Sequence, residues 1–159
     1  MRTFRTLLLA LAIVTLLPAC TGGRKNQRIP RGPQSEAVLE LLESYRHAME
    51  ARDVDAILSL TSPDYLDGRG SLDPSDDLDR AGLKAKLEAE MARITALKLS
   101  LEVLKLEFDE GKEVAALELR YDLRFQLEMP AGSSWHNEIN VHQMKLRREE
   151  AGWRVIGGL

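Results

Sequence analysis

The sequence has a single cysteine, little excess charge and no long apolar run inside the chain. Cys20 is the one cysteine among 159 residues, so no internal disulfide can form. The net charge of −3 argues against the basic surface that nucleic-acid binding requires. Beyond the first residues no stretch is apolar enough to cross a bilayer. The length suits one domain with a real core rather than two.

Motifs for common cofactors are also missing. We find no zinc-ligand spacing, no phosphate-binding loop and no serine-nucleophile elbow, so the sequence predicts no cofactor. An acidic stretch contains Asp73, Asp76, Asp77 and Asp79, but Pro74 and the adjacent Asp76 and Asp77 break the alternate-oxygen pattern of a calcium loop. We expect a solvated loop there and no metal site.

The first 19 residues have the features of a targeting segment. Arg2 and Arg5 precede a short apolar run from Leu7 to Leu17, which is typical of a signal peptide. The run ends at Leu17-Pro18-Ala19-Cys20, and this end resembles a bacterial lipoprotein signal, in which a small residue precedes the acceptor cysteine.

The lipoprotein resemblance implies that Cys20 is acylated and becomes the new N-terminus. Several acyl chains would give stable anchoring in a lipid membrane. The alternative is an ordinary secretory signal that is cleaved after Ala19 and leaves a free thiol. Thr21 is not the aspartate that retains enteric lipoproteins in the inner membrane, so the resemblance implies the outer membrane, facing the periplasm, in a host with two membranes.

Residues 20–34 are predicted to form a flexible tether. Glycine and proline punctuate this segment, which has no apolar periodicity. It carries the basic residues Arg24, Lys25, Arg28 and Arg31. These would either attract anionic headgroups near the anchor or belong to a simple soluble spacer.

The stretch from Ala96 to Leu127 organises the remaining chain. Apolar and polar residues alternate along both of its arms, as in two strands of a sheet with one apolar face. On the second arm the apolar positions are Ala115, Leu117, Leu119, Tyr121, Leu123, Phe125 and Leu127. The turn is Asp109-Glu110-Gly111-Lys112, with Gly111 expected at positive φ.

Three helices are predicted before this hairpin. Ser35, Asp53 and Asp79 are the expected N-caps. The apolar residues then recur at helical spacing: Val38, Leu41, Leu42, Tyr45 and Met49 in the first helix; Val54, Ile57 and Leu58 in the second; Leu83, Leu87, Met91 and Ile94 in the third. Two further strands follow the hairpin, so residues 35–159 are predicted to be one α+β domain of three N-terminal helices on an antiparallel sheet.

Two strands change their apolar parity midway. A β-bulge near Val103-Leu104 and another near His142-Gln143 would reconcile each pattern with a buried face. Bulges curve a sheet, so we expect a strongly curved sheet that forms a cone with an interior. His142 would point into the cone if its bulge lies before it.

Three segments resemble the nuclear transport factor 2-like superfamily, which includes SnoaL-type cyclases and ketosteroid isomerases. They are the helix pair Tyr45 to Leu60, with Arg52-Asp53-Val54-Asp55-Ala56-Ile57 at its junction, the Ser62-Pro63-Asp64-Tyr65 that follows the second helix, and the closing hairpin Lys145 to Val155. The similarity spans Ser35 to Ile156. It implies a cone of three helices on a curved sheet, in a superfamily that contains both enzymes and binding modules.

The resemblance also suggests site residues. Tyr45 falls where ketosteroid isomerases keep an oxyanion-hole tyrosine, although it would equally serve as a core aromatic. Alignment without a gap places Arg69 at the family's catalytic aspartate, and a short gap brings Asp67 there. On the third strand, Glu138, Asn140 and His142 are alternatives for the family's remaining acid. The catalytic candidates are Tyr45, Asp67 and His142; the ligand-binding candidates are Tyr45, Tyr65, Tyr121 and His142.

Two functions therefore remain open for this chain. One is a membrane-anchored envelope lipoprotein whose cone binds a small apolar ligand or a protein partner without catalysis. The other is a small-molecule isomerase, dehydratase or cyclase. The outer face of the sheet is also a candidate homodimer surface, where Arg120, Asp122 and Arg124 would pair across the interface.

Overall fold

The computed structural model describes residues 29–68, 74–130 and 132–159. The predicted signal peptide, Cys20, most of the tether, Arg69 and Asp73 lie outside these residues. The elements are α1 (Pro33–Ala51), α2 (Val54–Ser59), β1 (Leu66–Asp67), a 3-10 turn (Pro74–Asp76), β2 (Leu78–Asp79), α3 (Arg80–Met91), β3 (Ile94–Phe108), β4 (Val114–Met129), β5 (Gly132–Glu149) and β6 (Gly152–Gly157). No helix in the described ranges is long and apolar enough to span a bilayer.

Helix α1 begins two residues before the predicted cap. Gly32 is its N-cap and Pro33 fills the first turn, where a missing N–H costs nothing, so the prediction of Ser35 as N-cap is wrong. Ser35 is instead buried. The predicted apolar face is confirmed, because Val38, Leu41, Leu42, Tyr45 and Met49 are all buried.

The caps of the other two helices are confirmed. The Ala56 N–H donates to Asp53 Oδ1 over 2.9 Å, and the Gly82 N–H donates to Asp79 Oδ1 over 2.7 Å. Helix α3 ends at Met91, so the prediction that Ile94 belongs to it is wrong: Ile94 begins β3, where it is buried. The predicted loop 62–75 contains β1, which pairs with β2 in a two-stranded ribbon.

The main sheet is antiparallel, in the order β3-β4-β5-β6, and the central hairpin is confirmed. Asp109 Oδ1 closes its turn by accepting hydrogen bonds from the backbone N–H groups of Glu113 and Val114, at 2.8 and 2.9 Å. The positive φ falls at Lys112, with a value of 55°, and not at Gly111 as predicted. The Asp109 side chain therefore stabilises this turn, and the left-handed backbone conformation lies one residue after the predicted position.

One of the two predicted bulges is present. The β3–β4 register shifts between Val103 and Lys105, as the parity change predicted. The bulge near His142-Gln143 is wrong, because β4 and β5 pair without interruption from Val114↔Arg147 to Met129↔Gly132. Two further register shifts were not predicted: one between Ile94 and Ala96 of β3, and one between Lys145 and Leu146 of β5 where it meets β6.

This continuous register decides which face each β5 residue takes. Leu119 pairs with His142 and Leu117 with Met144, so even-numbered residues of β5 share the apolar face of β4. Ile139 and Val141 lie on the opposite face, 50% and 58% exposed. The helices pack against the apolar face of this curved sheet, and the core forms between the two layers.

Candidate functional site

A cavity of about 200 Å³ lies between the helices and the inner face of β4 and β5. We call it the cone cavity. Its apolar walls come from both layers, and its polar groups come mainly from β5 and α3. The lining residues are Tyr45, Met49, Ile57, Lys86, Leu87, Glu90, Tyr121, Leu123, Glu138, Asn140, His142, Gly158 and Leu159. Such a mixture of apolar wall and few polar groups is typical of small-molecule sites.

Tyr45 of α1 and Tyr121 of β4 lie side by side in this cavity. Their rings meet edge to face, with centroids 6.5 Å apart. Burial raises the pKa of Tyr45 to about 12, and burial followed by the neighbouring Tyr45 raises the pKa of Tyr121 well above its ordinary value. Both phenols therefore stay neutral near pH 7 and can offer an O–H to an oxygen of a ligand.

His142 lies beside this pair. Its ring centroid is 4.8 Å from that of Tyr121, and it faces the cavity without the bulge that the sequence appeared to require. Glu138 and Asn140, two and four residues earlier on the same face of β5, also line the cavity. All three side chains are exposed, so this wall of the cavity is open to solvent.

Asp67 lies in a neighbouring space and not with the tyrosine pair. This second space, which we call the edge groove, has a volume of about 770 Å³ and runs along the edge of β5. It is lined by Leu66, Asp67, Gly68, Lys86, Val141, His142, Gln143, Lys145, Gly157, Gly158 and Leu159. The two spaces share Lys86, His142, Gly158 and Leu159, so they adjoin.

Tyr65 lines neither the cone cavity nor the edge groove. Its ring is buried, and its hydroxyl lies between the backbone N–H and carbonyl of Leu159, at 3.1 and 3.3 Å. Burial, followed in smaller measure by nearby Asp67, raises the pKa of Tyr65 to about 12, and the Asp67 carboxylate is hydrogen-bonded to this hydroxyl. Tyr65 therefore fixes the wall that the two spaces share.

The fold thus brings Tyr45, Tyr121 and His142 together in the cone cavity, whereas Asp67 lines the adjoining edge groove with His142. Lys86 and Glu90 of α3 also reach the cavity, and sequence reasoning missed both. Their signal was present: they flank the buried stripe of Leu83, Leu87 and Met91 at helical spacing. Among the residues that the structure describes, no group of His, Cys, Asp or Glu is arranged to hold a metal ion.

Similar solved structures share this architecture. A protein described as an aromatic ring hydroxylase from Novosphingobium aromaticivorans matches with a TM-score of 0.66 and 19% identity, over 80% of this chain and 89% of that one. A protein described as a dehydratase of the nuclear transport factor 2-like family, from Streptomyces avermitilis, matches with a TM-score of 0.62 and 17% identity, over 79% and 93%. A ketosteroid isomerase-like protein from Erwinia carotovora atroseptica matches with a TM-score of 0.62 and 12% identity, over 77% of this chain and 91% of that one.

These likenesses establish the fold. The domain is an α+β cone of the nuclear transport factor 2-like type, with helices on a curved antiparallel sheet. No family model matches the sequence, and no curated relative matches it either. At such low identities the likeness shows the fold alone, and the activities named for these proteins are not assigned to this chain.

Proposed function

We propose that the domain binds a small, largely apolar molecule in the cone cavity, without catalysis, and that Cys20 anchors it in a bacterial envelope membrane. The observation that carries the binding proposal is the neutral Tyr45–Tyr121 pair inside an apolar cavity. A ligand oxygen placed there would accept a hydrogen bond, while Leu87, Leu123 and Met49 would cover the apolar part of the ligand. The anchor rests on the lipoprotein resemblance of the leader.

The separation of Asp67 supports binding over catalysis. An aspartate acting as a base must come within hydrogen-bond reach of the proton that it abstracts. Asp67 instead bonds the Tyr65 hydroxyl, and it lines the edge groove and not the cone cavity. The oxyanion donors and this candidate base therefore do not share one cavity.

The experiment uses a fluorescent naphthyl ketone, 6-propionyl-2-dimethylaminonaphthalene (prodan), whose emission reports the polarity around its carbonyl. We expect a blue shift on binding, and Tyr45→Phe should weaken binding by about 1 kcal/mol, roughly fivefold, through one lost hydrogen bond. Asp67→Asn should leave the affinity nearly unchanged.

A matched pair of variants locates the probe. Leu123→Trp fills the cone cavity, whereas Ile139→Trp adds the same ring to the exposed outer face of the same sheet. Binding should be lost in the first variant and kept in the second. The reverse result would place the ligand on the outer face and end the cone-cavity proposal.

An isomerase or dehydratase is the second candidate, and the position of His142 favours it. An imidazole beside a tyrosine pair could move a proton to or from a ligand whose oxygen is held by the phenols. The test is turnover of unsaturated ketones or β-hydroxy ketones. If the protein turns over one of these ketones and His142→Gln abolishes the turnover while prodan affinity is retained, the protein is an enzyme.

We also propose a homodimer through the outer face of the sheet. Three large apolar residues of β5 are at least half exposed on this face: Trp135, Ile139 and Val141. Asp122 and Arg120 of β4 pair with Ile139 and Val141. Sedimentation should give twice the monomer mass at micromolar concentration, and Ile139→Asp should halve it. A monomer at all concentrations would refute this proposal.

A further inference from the structure

One edge of β5 is open over most of its length. β6 pairs with β5 only from Lys145 to Glu149, and no other strand of the described residues pairs with that side. The Arg148 N–H donates to the Glu113 carbonyl over 2.8 Å, so the even-numbered residues of β5 form the backbone hydrogen bonds to β4. Because the pairing with β4 has no bulge, this alternation runs along the whole strand. The odd-numbered residues from Ser133 to Val141 therefore direct their backbone N–H and C=O groups to the open edge.

Gly158 closes one end of this edge. At φ +92° its Cα packs so tightly that an added Cβ would lie 2.0 Å from the Gln143 carbonyl oxygen. This contact agrees with the alternation, because Gln143 is odd-numbered and turns its carbonyl away from β4. The edge that is free to pair therefore ends at Val141.

The opposite edge of the sheet, formed by β3, is covered by helix α1. Glu50 Oε1 accepts a hydrogen bond from the Leu99 N–H over 3.2 Å, and the Arg52 side chain donates to the Ile94 carbonyl. The open stretch of β5 has no lysine, arginine, proline or bulge, which are the features that keep exposed strand edges from pairing. It is therefore a template for another strand.

The side chains of this stretch are self-complementary in one antiparallel register. The backbone alternation requires odd-numbered residues to face odd-numbered residues across a two-fold axis. With the axis at Asn137, Trp135 faces Ile139 on the outer face, where the two are 55% and 50% exposed. On the inner face His136 then faces Glu138, and its imidazole can donate a hydrogen bond to the carboxylate.

Neighbouring registers fit less well. An axis at Glu138 would place the two carboxylates directly opposite each other, which destabilises a strand pair. An axis at Ile139 would leave Glu138 without a basic residue opposite it. An axis at Asn140 would place Glu138 opposite His142, but it requires the end of the edge that Gly158 closes.

We propose that two copies of this chain pair antiparallel along their β5 edges, with the two-fold axis at Asn137, and form one continuous sheet. This inference rests on the proposed homodimer and specifies how its copies meet. The helix layers then lie on the same side of the joined sheet. His136 of the second copy lies beside Glu138, which belongs to the open wall of the cone cavity, so each copy adds to the wall of the other's ligand site.

Cross-linking distinguishes edge pairing from stacking of the two outer faces. The purified full-length chain carries Cys20→Ser, so that an introduced cysteine is its only thiol. Asn137→Cys places the two thiols at the axis, with Cα atoms about 5.5 Å apart, and a short bis-methanethiosulfonate should join them rapidly. Arg124→Cys is the matched control: Arg124 pairs with Asn137 on the same face, but three strand spacings, about 14 Å, separate it from its copy.

Amide hydrogen exchange tests which backbone groups take part. The odd-numbered amides of Asn137 and Ile139 should exchange fast in the diluted monomer and slowly in the dimer. The even-numbered amides of His136 and Glu138 bond β4 and should be protected in both states. They are the internal control for the stability of the strand.

A charge exchange tests the register. Glu138→Lys should raise the dissociation constant of the dimer about tenfold, because two histidine–carboxylate pairs become repulsive or unbonded. Adding His136→Glu to this variant should restore a carboxylate opposite each lysine and return the constant to within about threefold of the original. A merely structural role of Glu138 would give no such rescue.

Three outcomes would overturn the edge pairing while leaving cone-cavity binding intact. One is cross-linking of Arg124→Cys as fast as Asn137→Cys, which would mean that the outer faces stack. Another is slow exchange of the Asn137 and Ile139 amides in the monomer, which would mean that another segment of the chain covers the edge. The third is a double variant no tighter than Glu138→Lys alone. A monomer at all concentrations would instead refute the proposed homodimer itself.

Discussion

Leu119→Ala tests the facing of the whole sheet. Leu119 lies at the centre of β4, is 0% exposed, and has Val103 on one side and His142 on the other as register partners. Removing a fully buried leucine side chain from a strand flanked on both sides leaves a cavity that the backbone cannot close. We expect a loss of about 3 kcal/mol in the free energy of unfolding.

Ile139→Ala is the matched control for this substitution. Ile139 is as apolar as Leu119 and belongs to the neighbouring strand, but it is 50% exposed on the outer face. Little area is removed from the core in this variant, so the loss should stay below about 1 kcal/mol. For a domain of this size the difference between the two variants corresponds to a melting temperature roughly 10 °C lower for Leu119→Ala.

The assay is urea unfolding followed by far-ultraviolet circular dichroism, at protein concentrations low enough that sedimentation shows the monomer alone, because Ile139 also belongs to the proposed dimer face. The slope of the transition should not change, so the midpoint reports stability directly. Equal losses in the two variants would refute the register of β4 and β5. A large loss in Ile139→Ala alone would place Ile139 inside and Leu119 outside.

Three further predictions address the anchor, the domain start and the tyrosines. Cys20→Ser should abolish labelling by a fatty-acid analogue and release the protein to the soluble exported fraction; a variant still labelled would refute lipidation. The free energy of unfolding should be about 1–2 kcal/mol larger for a chain that begins at Ile29 than for one that begins at Gln34, because the shorter chain lacks the helix cap and the packing of Ile29. Equal stabilities would contradict this prediction. Because the pKa of Tyr45 and of Tyr65 is raised to about 12 from 10.0, their stabilising effect is complete below pH 10 and is lost as the pH rises towards 12; urea midpoints at pH 9 and 11 should show the decline, and Tyr45→Phe should reduce it.

The helices and the central hairpin could be predicted because their signals are local. An amphipathic helix needs apolar residues every three or four positions, and a half-buried strand needs them at every second position. The caps at Asp53 and Asp79 follow from the side chain and the next three residues. The prediction of Ser35 as the N-cap was wrong because Pro33, two residues earlier, already fits the first turn of the helix.

The facing of β5 could not be predicted in the same way. Ile139 and Val141 are apolar and His142 is polar, so parity alone suggested that the strand changes face. The uninterrupted pairing with β4 puts the polar residues inside and the two aliphatic residues outside. Met144 and Leu146 of the same strand are 0% exposed and pair with Leu117 and Ala115, so their burial sets the register, and without a bulge the other even-numbered residues of β5 must share that face.

The sequence by itself determined the α+β order, the apolar faces of α1 and β4, and the bulge near Val103, because each depends on residues that are neighbours in the chain. Only the tertiary structure decided that Tyr45, Tyr121 and His142 meet in one cavity and that Asp67 does not. These residues come from α1, β4, β5 and β1, and their distances depend on how the layers pack and how the strands align. Contacts between distant segments are set by the shared core, which no single stretch of sequence contains.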